Sequence, residues 1–349
     1  MKKDIISIQI LRGFAAIAIV FIHMNAIIKL HGAKQSYLLP STELANAGVD
    51  IFFVISGVIM AIITGRMNQR GAGALPFLMK RVTRIYPIYW IYLLLFILGN
   101  LLIQGTIIET SGQLNIPAIF QSALLIPNQE LPILIIAWTL EFEMFFYLLI
   151  TLLVARGWMN HPKYLAGIAI LLVALGTVIP FRPAFLSLAT DPLLLEFAAG
   201  AILGYLYLQK KRMNPAPLFI VSILLLGLEI AGWSIAEIFD MYGTRFGRLV
   251  RFGLPAFFVV AAFLSANTQI SAWRLRSLER LGDASYSLYL SHLLVLSVAG
   301  KIWATLDMAS FLPDILFAVY LLIACLLWSL LSYAYLEKPL ISIFRGRNP

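Results

Sequence analysis

Charged residues are scarce in this sequence. Asp, Glu, Lys and Arg together make up 12% of its 349 residues, about half of the roughly 25% that is usual in soluble globular domains. Apolar residues make up 61%, and the mean hydropathy is +0.89. This composition excludes an ordinary soluble domain and indicates a membrane protein with several spanning segments.

The sequence also has a single cysteine, Cys325. One cysteine excludes both an intrachain disulfide and a metal cluster held by thiolates. Because Cys325 lies in the last apolar run, we expect a small buried side chain there. The sequence has no glycine-rich phosphate loop, no paired-histidine metal motif and no repeat of fixed period. We therefore expect no permanently bound cofactor and no metal ion.

Long apolar runs are what the sequence has in abundance. Ten runs have about 17 to 25 residues, the length that crosses a bilayer as a helix. They cover residues 7–28, 48–64, 85–104, 134–154, 164–180, 191–208, 217–234, 250–267, 284–303 and 315–336. The first is too long for a signal peptide and lacks a cleavage site of small residues. The sequence predicts an all-α bundle of about ten transmembrane helices, a single domain over residues 1–349 with no separate soluble domain.

The basic residues orient this bundle. If the N terminus is cytoplasmic, most of the 26 Lys and Arg residues fall in cytoplasmic segments, as the positive-inside rule requires. We therefore expect both termini in the cytoplasm and a multi-pass protein of the inner or plasma membrane. The net charge of +9 follows from this topology and from attraction to anionic lipid, so a nucleic-acid partner is unnecessary.

Two polar residues interrupt the first apolar run. Arg12 and His23 are eleven residues apart, close to three helical turns, so both project from one helix face roughly 16 Å apart. An arginine in a membrane helix costs about 3 kcal/mol or more to insert and usually faces a protein interior or a wet cavity. The pair predicts a polar track along a buried helix face.

Two carboxylates lie in the fourth run. Glu141 and Glu143 are separated by about 200° around a helix, so only one of them can face a given cavity. Counted by helical rise, His23 and Glu143 lie within a turn or two of the same depth. A carboxylate touching an imidazole would fix its tautomer and stabilise the imidazolium that a general base forms. The alternative is a buried pair that only locks two helices together.

Several short motifs follow one another in a fixed order. They are RGFAAIAIVFIH with Arg12 and His23, GVDIFFVISG with Asp50 and Ser56, RVTRIYP with Arg81 and Arg84, WTLEFEMFFY, SYSLYLSH with Tyr286 and His292, and LEKP. Together they resemble the membrane-bound acyltransferase 3 family, whose members O-acylate polysaccharides, peptidoglycan and lipid-linked glycans. The resemblance covers nearly the whole chain, and its fourth motif selects Glu143 over Glu141.

The resemblance implies an O-acyltransferase that moves an acyl group, most often acetyl, from cytoplasmic acyl-CoA to a hydroxyl of an exported or lipid-linked glycan. In this interpretation His23 and Glu143 are catalytic: His23 takes the proton of the acceptor hydroxyl or itself accepts the acyl group. Arg81 and Arg84 have guanidinium groups suited to the phosphates of coenzyme A. Arg12 neutralises the pyrophosphate or lines the channel, or else it only extends its charge to the interface.

Other polar residues are candidates for substrate binding. The resemblance implies that Asp50, Ser56 and Tyr286 contact the substrate. His292 either lines the channel or forms a hydrogen bond across helices. Arg245 and Arg248 belong to a row of arginines in a predicted outer loop. This row would bind an acidic sugar or the diphosphate of a lipid-linked oligosaccharide, or it is a solvated helix edge countered by the acidic residues Glu237 and Asp240.

Two hypotheses from other classes compete with the enzyme. A transporter or flippase for a glycan precursor would also have ten spans and intramembrane charge, but it predicts internal pseudo-symmetry, which the sequence does not display. A non-catalytic membrane partner of a glycan-export assembly would make Arg12, His23 and Glu143 dispensable.

Overall fold

The computed structural model describes residues 5–34, 43–68, 73–102, 114–158, 162–179, 183–211, 213–233, 236, 241, 244–273 and 275–345. Over these residues the chain folds into helices and turns, without a strand. The predicted all-α class is confirmed.

The helices follow the apolar runs closely. They are α1 Ile6–His31, α2 Ala47–Asn68, α3 Ala74–Leu102, α4 Ile116–Leu124, α5 Trp138–Ala155, α6 Pro162–Val178, α7 Ala184–Ala189, α8 Leu194–Leu208, α9 Pro215–Ile230, α10 Arg245–Arg248, α11 Leu254–Ser265, α12 Asn267–Ala272, α13 Arg276–Asp283, α14 Ser285–Thr305, α15 Asp314–Ser332 and α16 Lys338–Arg345. Turns of π-helix at Leu249–Gly253 and Tyr333–Glu337 join α10 to α11 and α15 to α16. Each of the ten predicted runs contains a helix.

Eight helical segments of the described chain are long and apolar enough to cross a membrane. They are Ile6–His31, Leu44–Met67, Ala74–Leu101, Ile135–Ala155, Ala184–Leu208, Arg245–Ser265, Ser285–Thr305 and Asp314–Phe344. The apolar helices α6 and α9 are shorter, with 17 and 16 residues. The protein is therefore a polytopic membrane protein. The count of ten spans and the cytoplasmic location of both termini stay predictions.

Glycines allow α2 and α8 to pack with their backbones in contact. A Cβ atom added to Gly57 would collide with the carbonyl oxygen of Phe197, and one added to Gly200 would collide with that of Val54. Small residues at helix interfaces permit this close approach in membranes, where dispersion rather than the hydrophobic effect holds helices together. The α2–α8 pair places Ser56 and the rest of α2 against the centre of the bundle.

This contact predicts a large effect of a small substitution. Gly200→Ala forces α2 and α8 apart, so we expect a loss of about 1 to 3 kcal/mol in unfolding free energy. Gly227→Ala is the matched control, since nothing lies within 4 Å of its added Cβ and alanine is the better helix former. Thermal unfolding in detergent measures both. Equal midpoints for the two variants would contradict the close packing.

Candidate active site

Five helices line a cavity of about 80 Å³, enough for several water molecules. The helices are α1, α2, α3, α5 and α14. The polar residues in the lining are Arg12, Ser56, Arg84, Thr139, Glu143, Tyr147, Ser285, Tyr286 and Tyr289. The cavity thus brings together five residues that the sequence singled out, although 274 positions separate the first from the last. They are Arg12, Ser56, Arg84, Glu143 and Tyr286.

Glu143 is the acidic residue of this cavity. Its carboxylate accepts hydrogen bonds from the hydroxyl of Ser56, at 3.3 Å, and from the hydroxyl of Tyr147 one turn further along α5. Glu141 instead lines a separate surface groove, as the two-residue spacing predicts. These two hydrogen bonds join Glu143 to α2 and to the next turn of α5, and its direct contact with His23 stays a prediction.

Two cations and one anion line the cavity, and a second anion, Glu337, lies close to them. The charges of Arg12 and Arg84 interact with those of Glu143 and Glu337. Glu337 is buried in the π-helical turn after α15 and accepts a hydrogen bond from Ser287 at 2.5 Å. Balanced charge is what makes buried ionic groups tolerable in a membrane. The cavity can therefore hold charged side chains in the interior of the bundle.

Two residues beside this cavity received no role from the sequence. Glu337 is the glutamate of the LEKP motif, and Tyr147 is the tyrosine that ends WTLEFEMFFY. Each is a polar residue within a motif that the sequence displays, and that is the signal which marks them.

Arg81 and Arg84 are one turn apart on α3 but differ in surroundings. Arg84 lines the cavity, whereas the guanidinium carbon of Arg81 lies 5.9 Å from the centre of the Phe77 ring, and its side chain is buried. Of the two arginines, Arg84 is therefore the one whose side chain lines the cavity.

His23 and His292 meet across α1 and α14. The Nε2 atom of His292 lies 3.2 Å from Nδ1 of His23, and the ring centroids are 4.9 Å apart. His292 is fully buried and its ring lies 6.0 Å from that of Tyr289, which forms part of the cavity wall. Of the two alternatives for His292, the structure shows the bond across helices.

Asp50 and Arg248 were expected to bind substrate, but the structure pairs them with each other. Arg248 donates a hydrogen bond of 2.7 Å to Asp50, which is fully buried, and the buried carboxyl of Glu196 lies beside them. Neither Asp50 nor Arg248 is among the residues that line the cavity. A carboxylate buried near the end of a membrane helix needs such a partner, so the ion pair accounts for both residues, and substrate contact stays a prediction.

The remaining arginines of the predicted row also have acidic partners. Arg245 pairs with Asp191 at 3.4 Å and has 58% of its side chain exposed, and Arg251 pairs with Glu229 of α9. Glu237 and Asp240, the expected counter-charges, lie outside the described residues. Arg245 and Trp138 line the surface groove, so the groove and the cavity share helix α5.

Comparisons with known proteins agree with this architecture. A family model, that of an acyltransferase domain, matches residues 5–334. The exopolysaccharide production protein ExoZ of Rhizobium meliloti is 33% identical over 307 residues, which cover 86% of this chain and 91% of the relative. The peptidoglycan O-acetyltransferase OatA of Listeria monocytogenes is 23% identical over 377 residues, 99% of this chain and 58% of the relative. No solved structure matches the chain.

Proposed function

Because the chain belongs to the acyltransferase 3 family and is a membrane acyltransferase, we propose that it moves an acyl group, most simply acetyl, from cytoplasmic acyl-CoA to a hydroxyl of an exported or lipid-linked glycan. The observation that carries this proposal is the cavity between five helices whose wall contains Arg12, Arg84 and Glu143. The names of the relatives, exopolysaccharide production and peptidoglycan O-acetylation, support a glycan acceptor.

The donor is recognised by arginines at the end of the cavity nearest the start of α3. Guanidinium groups bind phosphate oxygens bidentately, and Arg81, Arg84 and Arg12 supply three of them. A cavity of about 80 Å³ is much smaller than the roughly 300 Å³ that buries a drug-sized ligand. The phosphates of coenzyme A therefore stay at the end of the cavity where Arg81 and Arg84 lie one turn apart, and the acyl thioester end enters past Arg12.

His23 supplies the base. Its imidazole takes the proton of the acceptor hydroxyl while the hydroxyl oxygen bonds to the thioester carbonyl carbon. The tetrahedral intermediate then collapses, the carbon–sulfur bond breaks, and the departing thiolate of coenzyme A receives the proton from the imidazolium. In the alternative order, His23 first accepts the acyl group, coenzyme A leaves, and the acceptor hydroxyl takes the acyl group in a second step.

Glu143 stabilises the positive charge that forms on His23. Its carboxylate already offsets Arg12 and Arg84, so the cavity stays close to neutral as the imidazolium forms. The hydrogen bonds from Ser56 and Tyr147 hold the carboxylate in one position. Charges fixed before the reaction need no reorganisation during it.

Membrane vesicles of known orientation test this function. Labelled acetyl-CoA is added to inside-out vesicles, which expose the cytoplasmic face, and to right-side-out vesicles. We expect ester-linked label in the glycan fraction only when the donor reaches the cytoplasmic face. Equal labelling in right-side-out vesicles, or no labelling in either, would contradict the proposal. Vesicles from cells without the gene are the control.

A further inference from the structure

The contact between His23 and His292 determines where the protons of both rings lie. Three distances define it: Nδ1 of His292 to the carbonyl oxygen of Tyr289, 2.7 Å; Nδ1 of His23 to the carbonyl oxygen of Ile19, 3.1 Å; and Nε2 of His292 to Nδ1 of His23, 3.2 Å. A carbonyl oxygen can only accept a hydrogen bond, so each of these contacts constrains a tautomer.

The assignment begins at His292. Its Nδ1 must carry the proton in order to donate to the carbonyl oxygen of Tyr289. A neutral imidazole has one N–H, so Nε2 of His292 carries the lone pair and is an acceptor. The nitrogen that faces this acceptor is Nδ1 of His23, which must therefore be the donor.

An independent contact leads to the same result for His23. Its Nδ1 also faces the carbonyl oxygen of Ile19, one turn earlier on α1. Two acceptors on two different helices thus require the proton on Nδ1, and the lone pair of the neutral His23 ring falls on Nε2. The ring is held from one side by its own helix and from the other by α14.

We propose that His292 is a positioning residue that fixes the tautomer and orientation of His23, so that Nε2 is the nitrogen that acts as the base. This inference rests on the proposed function of His23. A base needs a partner at its second ring nitrogen, because the wrong tautomer presents a hydrogen instead of a lone pair to the substrate. His292 here takes the place that a carboxylate often has, without adding a buried charge.

His292 also connects the base to the cavity. Tyr289, on the same helix, donates a hydrogen bond of 2.7 Å to the carbonyl oxygen of Ile136 and lies in the cavity wall. The carbonyl group of Tyr289 is the one that holds Nδ1 of His292. One turn of α14 thus forms part of the wall and sets the protons of the histidine pair.

A matched pair of substitutions tests the positioning role. The amide oxygen of His292→Gln reaches the place of the ring Nε2, so the acceptor for His23 is kept. The shorter side chain of His292→Asn reaches only the place of Nδ1. We expect His292→Gln to keep kcat within about tenfold of the wild type and His292→Asn to lower it by about 100-fold or more, with KM for acetyl-CoA little changed in both. His31→Gln and His31→Asn are the controls, expected to leave both constants unchanged.

A purely structural role predicts another pattern. If His292 only fastens α14 to α1, kcat should fall equally in both variants and in step with the loss of thermal stability. Equal values of kcat for His292→Gln and His292→Asn would therefore overturn the proposal, as would wild-type kcat in His292→Asn.

Nitrogen NMR tests the tautomers without any assay of activity. The chain has four histidines, so histidine labelled with nitrogen-15 gives few signals, which single substitutions assign. We expect His23 and His292 both to carry the proton on Nδ1 at neutral pH. A proton on Nε2 of His23 would overturn the inference. Absence of acyl transfer by the wild type, with the expected tautomers present, would instead contradict the function proposed above.

Discussion

Replacing His23 with alanine is expected to lower the rate of acyl transfer by about 10²- to 10⁴-fold, the usual contribution of a positioned base. The alcohol of a sugar is a poor nucleophile until its proton is removed, and the variant lacks the proposed base that takes this proton. The initial rate of ester formation from labelled acetyl-CoA measures the effect. His31→Ala, at the last residue of α1, is the control and should keep the wild-type rate.

The bundle should survive this substitution. His23 is half-buried, and its loss removes the partner of His292, which costs about 1 to 3 kcal/mol for a buried group left unsatisfied. We therefore expect a folded, monodisperse protein with a lower unfolding midpoint. A rate above a tenth of the wild-type value in this variant would remove His23 from the mechanism. An acylated His23 peptide, trapped by rapid quenching, would select the two-step order.

Replacing Arg248 with methionine is expected to cost about 3 to 5 kcal/mol of stability, the cost of breaking a buried ion pair. Arg248 is the cation that faces two buried carboxyl groups, those of Asp50 and Glu196. Asp50→Asn should cost less, because Glu196 remains to face the guanidinium. A larger loss of stability in Arg248→Met than in Asp50→Asn would show that Arg248 interacts with both carboxyl groups.

Arg245→Met is the matched control for this experiment. Arg245 lies three residues before Arg248 and also pairs with a carboxylate, but 58% of its side chain is exposed, so its loss should cost about 1 kcal/mol or less. Unfolding midpoints in detergent, together with KM for the acceptor glycan, distinguish a structural role of Arg248 from a role in substrate binding. If Arg248→Met raised KM and left stability at the level of Arg245→Met, Arg248 would be a substrate-binding residue and not a structural one.

The helices were predictable because their signal is local. Each apolar run is long enough to cross a bilayer, and a helix satisfies its own backbone polar groups there. The start of α3 was less predictable: it begins at Ala74, eleven residues before the predicted run, since the charged segment containing Arg81 continues the helix. The π-helical turns were not predictable from hydropathy, because one extra residue in a turn does not alter the apolar pattern.

Five residues of the cavity wall could be singled out from the sequence, but their contacts could not. Helical spacing places Arg12 and His23 on one face of the same helix, and depth in the membrane places His23 and Glu143 at a similar level on two different helices. Neither spacing nor depth determines which helices are neighbours or how each helix is rotated about its axis. The structure shows a contact that neither relation indicates, between His23 and His292, which are 269 positions apart. Asp50 and Arg248 meet across 198 positions, so no motif could connect them.

The competing hypotheses are weakened by the same observations. Membership of an acyltransferase family favours an enzyme over a transporter or a non-catalytic partner. The cavity adds a physical reason, since its wall combines arginines suited to phosphate groups with a carboxylate, Glu143, suited to support a base.

Mass spectrometry of cell-surface and lipid-linked glycans tests the central claim most directly. Glycans are compared among cells that lack the gene, cells that express the wild-type chain and cells that express His23→Ala at an equal level. The account predicts a gain of one acyl mass per modified sugar, removed by mild base, with the wild-type chain alone. Identical glycan masses in all three strains, or the same gain with His23→Ala, would contradict it.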